Sequence, residues 1–215
     1  MFILYKPVQK IGHEFQSIIQ ILDNQLGNDV HMVWAASKDF GCSGVRYGVL
    51  YTQNELLLSA FNATATFTCV SGPVQYLVSE LLTDDVFVSN FLDESRDRLL
   101  QSYTICTRKL DEMVLPFIPA EACMFIYVDF SSILPAKTFE WEQKLSELMF
   151  QVRVILTPGE SQHDAAPGMF RICYAWVSPE ALEVAMERLS RLVAKLRRME
   201  WDDINGRVIE SILMC

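Results

Sequence analysis

Basic residues are in deficit. Eighteen lysines and arginines face 27 aspartates and glutamates, for a formal net charge of -9. A nucleic-acid surface needs a basic face to neutralise phosphates, so this balance argues against nucleic acid as a partner. Closely spaced cysteine pairs are missing too. The six cysteines fall at 42, 69, 106, 123, 173 and 215, with no C-x-x-C and no histidine at metal-ligand spacing. His13, His31 and His163 are too scattered for a metal centre or a catalytic triad, so no metal site is expected. The thiols are expected to lie buried or idle in a reducing compartment. Long apolar runs are scarce. The opening MFILYKPVQK has only a short one and no basic segment before it, so no secretory signal is expected. The uncharged stretch 56–79 is broken by Asn62, Thr64, Thr66, Thr68, Ser71, Gly72, Pro73 and Gln75, too polar for a bilayer span. Internal repeats and low-complexity segments are absent. The expectation is a soluble, cytoplasmic chain without membrane contact.

What is present is core material. Hydrophobic residues make up 51% of 215 positions, enough for one large domain or two small ones and too much for disorder. The first third alternates helical and extended patterns. Phe15, Ile18, Ile19, Leu22 and Leu26 recur at helical spacing up to Gly27. DVHMVWAA reads as a buried strand, VRYGVLYT as a second, and Asn54 as the cap of a following helix. Strands joined through helices suggest an α/β sheet. Gly72-Pro73 opens a helix to Leu82. Asp84 or Asp85 starts a long one to about Met113, striped by Leu92, Leu99, Tyr103, Cys106, Leu110 and Met113. The last third reads as an α+β unit. CMFIYVDF, VRVILTPG and MFRICYAW are strands, with a helix from Phe139 to about Val152. Ser178-Pro179 caps a final helix carrying Leu182, Ala185, Met186, Leu189, Val193 and Leu196. The tail from Trp201 can add a turn or a short helix.

The stretch WAASKDFGCSGVRYG, residues 34–48, carries the chemistry. Its Asp39-Phe40-Gly41 is not a kinase magnesium site, because no glycine-rich phosphate loop, early-strand lysine or H-R-D loop precedes it. Lys38 and Arg46 flank Gly41 and Gly44, with Gly48 just beyond. A lysine can form a Schiff base with an aldehyde, and a guanidinium grips a phosphate dianion. Glycines between them let the backbone bend closely. The pair can hold the aldehyde and phosphate ends of one small molecule. On spacing alone, an exposed lysine and an ion-paired arginine beside a turn remain the plainer reading.

SKDFGCSGVRYG resembles the cofactor-lysine motif of class I/II aminotransferases, in the pyridoxal-phosphate fold-type-I superfamily. Lys38, Gly41, Gly44, Arg46 and Gly48 match its pattern. WAASKDFG is most similar to the 1-aminocyclopropane-1-carboxylate synthase-like branch. The resemblance continues through LYTQNELL, VQYLVSELL, MFIYVDF and PGMFRICYAW, over about residues 11–198.

The resemblance implies an α/β fold: the C-terminal portion of the cofactor-binding large domain over 1–105, a small α+β domain over 106–200, and a tail over 201–215. It implies pyridoxal 5'-phosphate as cofactor, with Lys38 as Schiff-base lysine and Cα proton carrier, Arg46 on the phosphate and Ser37 beside it. Arg171, in PGMFRICYAW, would bind the substrate α-carboxylate. His163 lies in GESQHDAAPG, the loop before Arg171, which in the family runs near the substrate. Tyr5, in FILY, would take the place of the tyrosine on the cofactor oxygen, leaving Phe2 where the family has an aspartate. Ala35 stands where a phosphate-binding serine is common. The implied substrate is an amino acid or oxo acid, handled by transamination or by a synthase-like elimination. The implied assembly is a homodimer. The alternative is a non-catalytic paralogue that keeps the fold and pairs with a full-length relative. Either way the chain is expected to correspond to the C-terminal half of such an enzyme, with apolar surface left uncovered.

Overall fold

A computed structural model describes residues 16–120, 122–199, 201–204 and 206–214. The chain divides into two compact units, residues 1–96 and 97–215. The division falls inside one long helix, the same helix that holds position 105.

The described part of the first unit starts with a single helical turn, α1 (Ile18–Ile21), not the longer helix that the Phe15–Leu26 spacing predicts. Phe15 lies outside the described residues. Asp23 and Asn24 take left-handed backbone conformations that stop the turn, and Gly27 follows at φ 62°. Leu26 is still buried, so the periodicity marked the right apolar position in the wrong element. Strands β1 (Met32–Ala35) and β2 (Gly48–Tyr51) pair antiparallel, from Met32↔Tyr51 to Ala35↔Gly48. Between them lie the one-turn helix α2 (Ala36–Asp39) and a 3-10 turn at Ser43–Val45.

The two strands form an antiparallel ribbon joined by the glycine-rich turn, and two expectations change. The second strand begins at Gly48, so Val45 and Arg46 belong to the turn. The first strand is half open rather than buried, with Val33 70% exposed, because among the described residues the ribbon has two strands.

Helix α3 (Glu55–Thr68) starts at Asn54, whose side-chain oxygen accepts from Leu57 N–H at 2.9 Å. It carries Leu56 and Phe67 almost fully exposed, at 84% and 88%. Helix α4 (Gly72–Thr83) has proline in its first turn. Helix α5 (Asp85–Glu112) follows Asp84, whose carboxylate accepts from Phe87 N–H at 2.9 Å. Phe40, at the end of α2, is buried and stacks on Phe91 of α5, ring centroids 5.3 Å apart. The large exposed side chains agree with the expectation of uncovered apolar surface.

The second unit is a four-stranded antiparallel sheet of order β3-β4-β6-β5, with helices against one face. Its strands are β3 (Phe117–Ile118), β4 (Phe125–Asp129), β5 (Thr157–Pro158) and β6 (Met169–Cys173). Alternation along β4 and β6 sends Ile126, Val128, Phe170 and Ile172 into the core. Against them pack the C-terminal part of α5, α6 (Phe139–Gln151) and α7 (Pro179–Leu196). Cys106, Leu110 and Met113 of the predicted stripe are buried there, with Leu99 and Tyr103 packed at its margin. Ser178 caps α7 as expected, its hydroxyl accepting from Ala181 N–H at 3.3 Å. The tail forms the expected turn and short helix: α8 (Gly206–Leu213) adds Ile209 and Ile212 to this core, and Trp201 meets Trp141 edge-on at 5.3 Å.

VRVILTPG is the expected strand that fails in large part. Val152 and Arg153 end α6 instead: Arg153 turns left-handed at φ 61°, and Val154 N–H donates back to the Met149 carbonyl at 2.9 Å. That helix-terminating bond uses the backbone a strand would need. Only Thr157 and Pro158 pair with β6.

Candidate functional site

The 35–48 turn is held by its own backbone. After β1, Phe40 N–H and Cys42 N–H both donate to the Ala36 carbonyl, at 3.2 and 3.3 Å, and Ala36 N–H donates to the Tyr47 carbonyl at 3.3 Å. Gly41 supplies a left-handed step at φ 64°. Arg46 supplies a second at φ 56°, a conformation that a non-glycine residue adopts at a cost. Gly48 packs closely on β1, where an added Cβ would sit 3.3 Å from the Trp34 carbonyl oxygen.

These constraints present Lys38 and Arg46 from one end of the ribbon, three residues after Ala35 and two before its partner Gly48. Both are exposed and Ser37 is half-buried. Among the described residues the Lys38 amine has no ion pair or hydrogen bond, which leaves it available. Arg46 Nη1 donates to the Ser43 carbonyl at 3.1 Å, which steadies one arm of the guanidinium, and among the described residues its other donors have no partner. An available amine and a partly anchored guanidinium on one turn fit an aldehyde and a phosphate.

Asp39-Phe40-Gly41 has a structural role. Asp39 accepts the indole N–H of Trp34 at 2.6 Å, Phe40 fills the core, and Gly41 makes the bend.

In the second unit Arg171 stands on the open face of the sheet, directly opposite Tyr127 on β4 and Thr157 on β5. Its flanking Phe170 and Ile172 point the other way, into the core. The guanidinium lies 4.5 Å from the Phe125 ring centroid, a cation–π contact, and its Nη1 donates to Gln162 Oε1 at 2.7 Å. Arg171 is thus a positive group on an accessible face, held by one neutral acceptor and an aromatic ring.

The loop before β6 delivers Gln162. His163, singled out from sequence, is exposed and left-handed at φ 60°, and the residue bonded to Arg171 is its neighbour Gln162. Tyr127 OH donates to Asp164 Oδ2 at 2.5 Å. Burial raises the Tyr127 phenol above its usual range, and the Asp164 bond adds to that. The same bond holds the Asp164 carboxyl below its usual range, helped by Ala166 N–H. A folded-state value depressed in this way gives a stabilising contribution that is present above the ordinary aspartate range. The contribution is lost as pH falls through the lowered value. Tyr127→Phe is expected to move the Asp164 titration upward, toward the ordinary carboxylate range, followed by its side-chain carbonyl resonance. An unchanged titration would mean that the phenol does not hold the carboxylate.

Four residues here have no counterpart in the sequence reading: Tyr127, Gln162, Asp164, and Glu142 of α6, whose carboxylate accepts from Glu160 N–H and Gly168 N–H at the ends of this loop. Only Glu142 left a usable signal. It occupies the inward register of α6 shared with Leu145 and Met149, a place that calls for an apolar residue. Of the expected site residues, Ser37, Lys38 and Arg46 share one turn of the first unit, and Arg171 belongs to the second. Tyr5 lies outside the described residues.

A model of the family "Aminotransferase class I and II" matches residues 9–189. The chain is 34% identical over 198 residues to 1-aminocyclopropane-1-carboxylate synthase 11 of Arabidopsis thaliana, covering 88% of this chain and 43% of that protein. It is 34% identical over 187 residues to the probable inactive 1-aminocyclopropane-1-carboxylate synthase-like protein 2 of Mus musculus, covering 86% and 32%. It superposes on a Thermus thermophilus aspartate aminotransferase variant with a TM-score of 0.72 at 22% identity, covering 88% of this chain and 45% of that one. The last comparison establishes the fold. The chain spans less than half the length of these relatives.

Proposed function

The chain belongs to the class I and II aminotransferase family, and on that premise we propose that it supplies the lysine, phosphate-binding and carboxylate-binding groups of a pyridoxal-phosphate-dependent enzyme of amino-acid metabolism. The observation that carries this is the 35–48 turn, which offers an available Lys38 amine and a partly anchored Arg46 guanidinium from one end of the ribbon.

Pyridoxal phosphate, when bound, supplies an electron-withdrawing ring that stabilises negative charge at the substrate Cα. Lys38 holds the cofactor aldehyde, then takes and returns the Cα proton. Arg46 and the Ser37 hydroxyl bind the phosphate. Arg171 pairs with the substrate α-carboxylate, where a planar fork gives orientation as well as charge. Tyr5 takes the cofactor oxygen. The substrate is an amino acid or oxo acid. Transamination, the commoner family chemistry, ranks above synthase-like elimination. The complete assembly is a homodimer in the cytoplasm.

One observation favours a second reading, a non-catalytic chain that pairs with a full-length relative. Helix α3 buries none of its apolar residues, and Leu56 and Phe67 are almost bare. Titrating the full chain with pyridoxal phosphate, followed by the visible absorption of bound cofactor, tests the choice. Saturable uptake supports the enzyme. Its absence under conditions where the chain is folded supports the second reading.

A further inference from the structure

Glu142 is fully buried, one of two buried polar or charged residues among those described. A carboxylate in such a place is tolerated only if its oxygens are satisfied. Both are, and by backbone amides far apart in sequence. Oε1 accepts from Glu160 N–H at 3.0 Å and Oε2 from Gly168 N–H at 2.6 Å. Those amides sit at the two ends of one loop, which leaves β5 after Pro158 and enters β6 at Met169. One side chain from α6 therefore closes the neck of that loop.

The neck is tight. Gly159 N–H donates to the Met169 carbonyl at 2.7 Å, and Phe130 N–H to the Gly168 carbonyl at 2.8 Å. An added Cβ on Gly159 would lie 2.9 Å from the Met169 oxygen. Inside the loop, Gln162 N–H and Asp164 N–H both return to the Gly159 carbonyl, at 2.8 and 3.0 Å. The Tyr127 phenol ties Asp164 to the sheet. The path from Glu142 thus runs through Glu160 and Gly159 to Gln162, which bonds Arg171, and through Gly168 to β6, which carries Arg171.

We propose that Glu142 is a positioning residue for Arg171: by closing the loop neck it sets Gln162 against the guanidinium and fixes the direction in which that guanidinium meets a carboxylate. The inference rests on the reading of Arg171 as the carboxylate-binding residue. Glu142 does not touch the ligand. It acts through two amides, and a glutamine there would turn an NH2 toward one of them, donor against donor.

The test is NMR of the full-length chain, reading the Arg171 Nε–Hε resonance during titration with acetate. In the wild type this resonance is expected to shift saturably. In Glu142→Gln it is expected to change position before any acetate is added, and the acetate affinity to fall about tenfold, since hydrogen bonds to charged groups are at stake. Leu189→Ala, a core truncation in α7, controls for simple loss of stability and is expected to leave the resonance in place. If Glu142→Gln alters neither the Arg171 resonance nor the acetate affinity, the proposal is overturned. If the resonance moves in Glu142→Gln while acetate has no effect on the wild type, the carboxylate reading fails and the positioning role stands. Should Glu142→Gln not fold, hydrogen exchange in the wild type decides. Coupling is reciprocal, so acetate at Arg171 raises the protection of Glu160 and Gly168 amides if the neck and the arginine are linked. Unchanged protection overturns the proposal.

Discussion

Gly168→Ala is expected to destabilise the second unit by about 3–5 kcal/mol, combining a forbidden backbone angle with overpacking against a fixed neighbour. Gly168 has φ 104°, a conformation that L side chains rarely adopt, and its added Cβ would meet Ser131 Cα at 2.7 Å and Ser131 N at 2.8 Å. Those are backbone atoms, so no rotamer change relieves the clash. Nor can Gly168 move away easily. Its N–H is held by Glu142 and its carbonyl by Phe130 N–H. Gly206, at the start of α8, has nothing within 4 Å of an added Cβ, so Gly206→Ala is expected to stay within about 0.5 kcal/mol of wild type. Chemical denaturation of both variants measures the difference. A Gly168→Ala chain as stable as Gly206→Ala would mean that the loop neck is loose.

Lys38→Ala is expected to abolish covalent fixation of pyridoxal phosphate by borohydride at this turn. The reason is chemical identity: no other amine stands in the 35–48 turn, and an alanine cannot attack an aldehyde. Arg46→Ala is expected to leave fixation possible but to weaken cofactor affinity by about tenfold to a hundredfold, the worth of charge-assisted hydrogen bonds to an anion. The backbone adds to the distinction. Arg46 is left-handed at φ 56°, so Arg46→Gly relieves strain while removing the charge. Arg46→Gly and Arg46→Ala losing affinity alike would assign the effect to the guanidinium rather than to the turn.

Much of this was legible in the sequence, and the parts that were not share a cause. Helices α4 to α7 followed from local signals: Pro73 and Pro179 in first turns, Ser178 and Asp84 as caps, and apolar spacing. The turn around Lys38 was legible because its glycines sit where the backbone must bend. VRVILTPG misled because β-branched residues read as strand whether or not a partner strand is available, and here a helix-terminating bond used the same backbone. Glu142 left only its inward register as a signal, because a buried acid otherwise looks like a surface acid until its partners are known, and those partners are backbone amides 18 and 26 residues away. Gln162 was passed over for His163 because histidine is the residue that usually attracts a chemical reading, while the loop's turn hands its neighbour to Arg171.

The central claim is that the 35–48 turn is a cofactor site. Peptide mapping by mass spectrometry, after pyridoxal phosphate addition at limiting concentration and borohydride reduction, tests it most directly. The account predicts one modified peptide, carrying the cofactor on Lys38 and lost in Lys38→Ala. Modification spread evenly over the other lysines, or unchanged in Lys38→Ala, would contradict it.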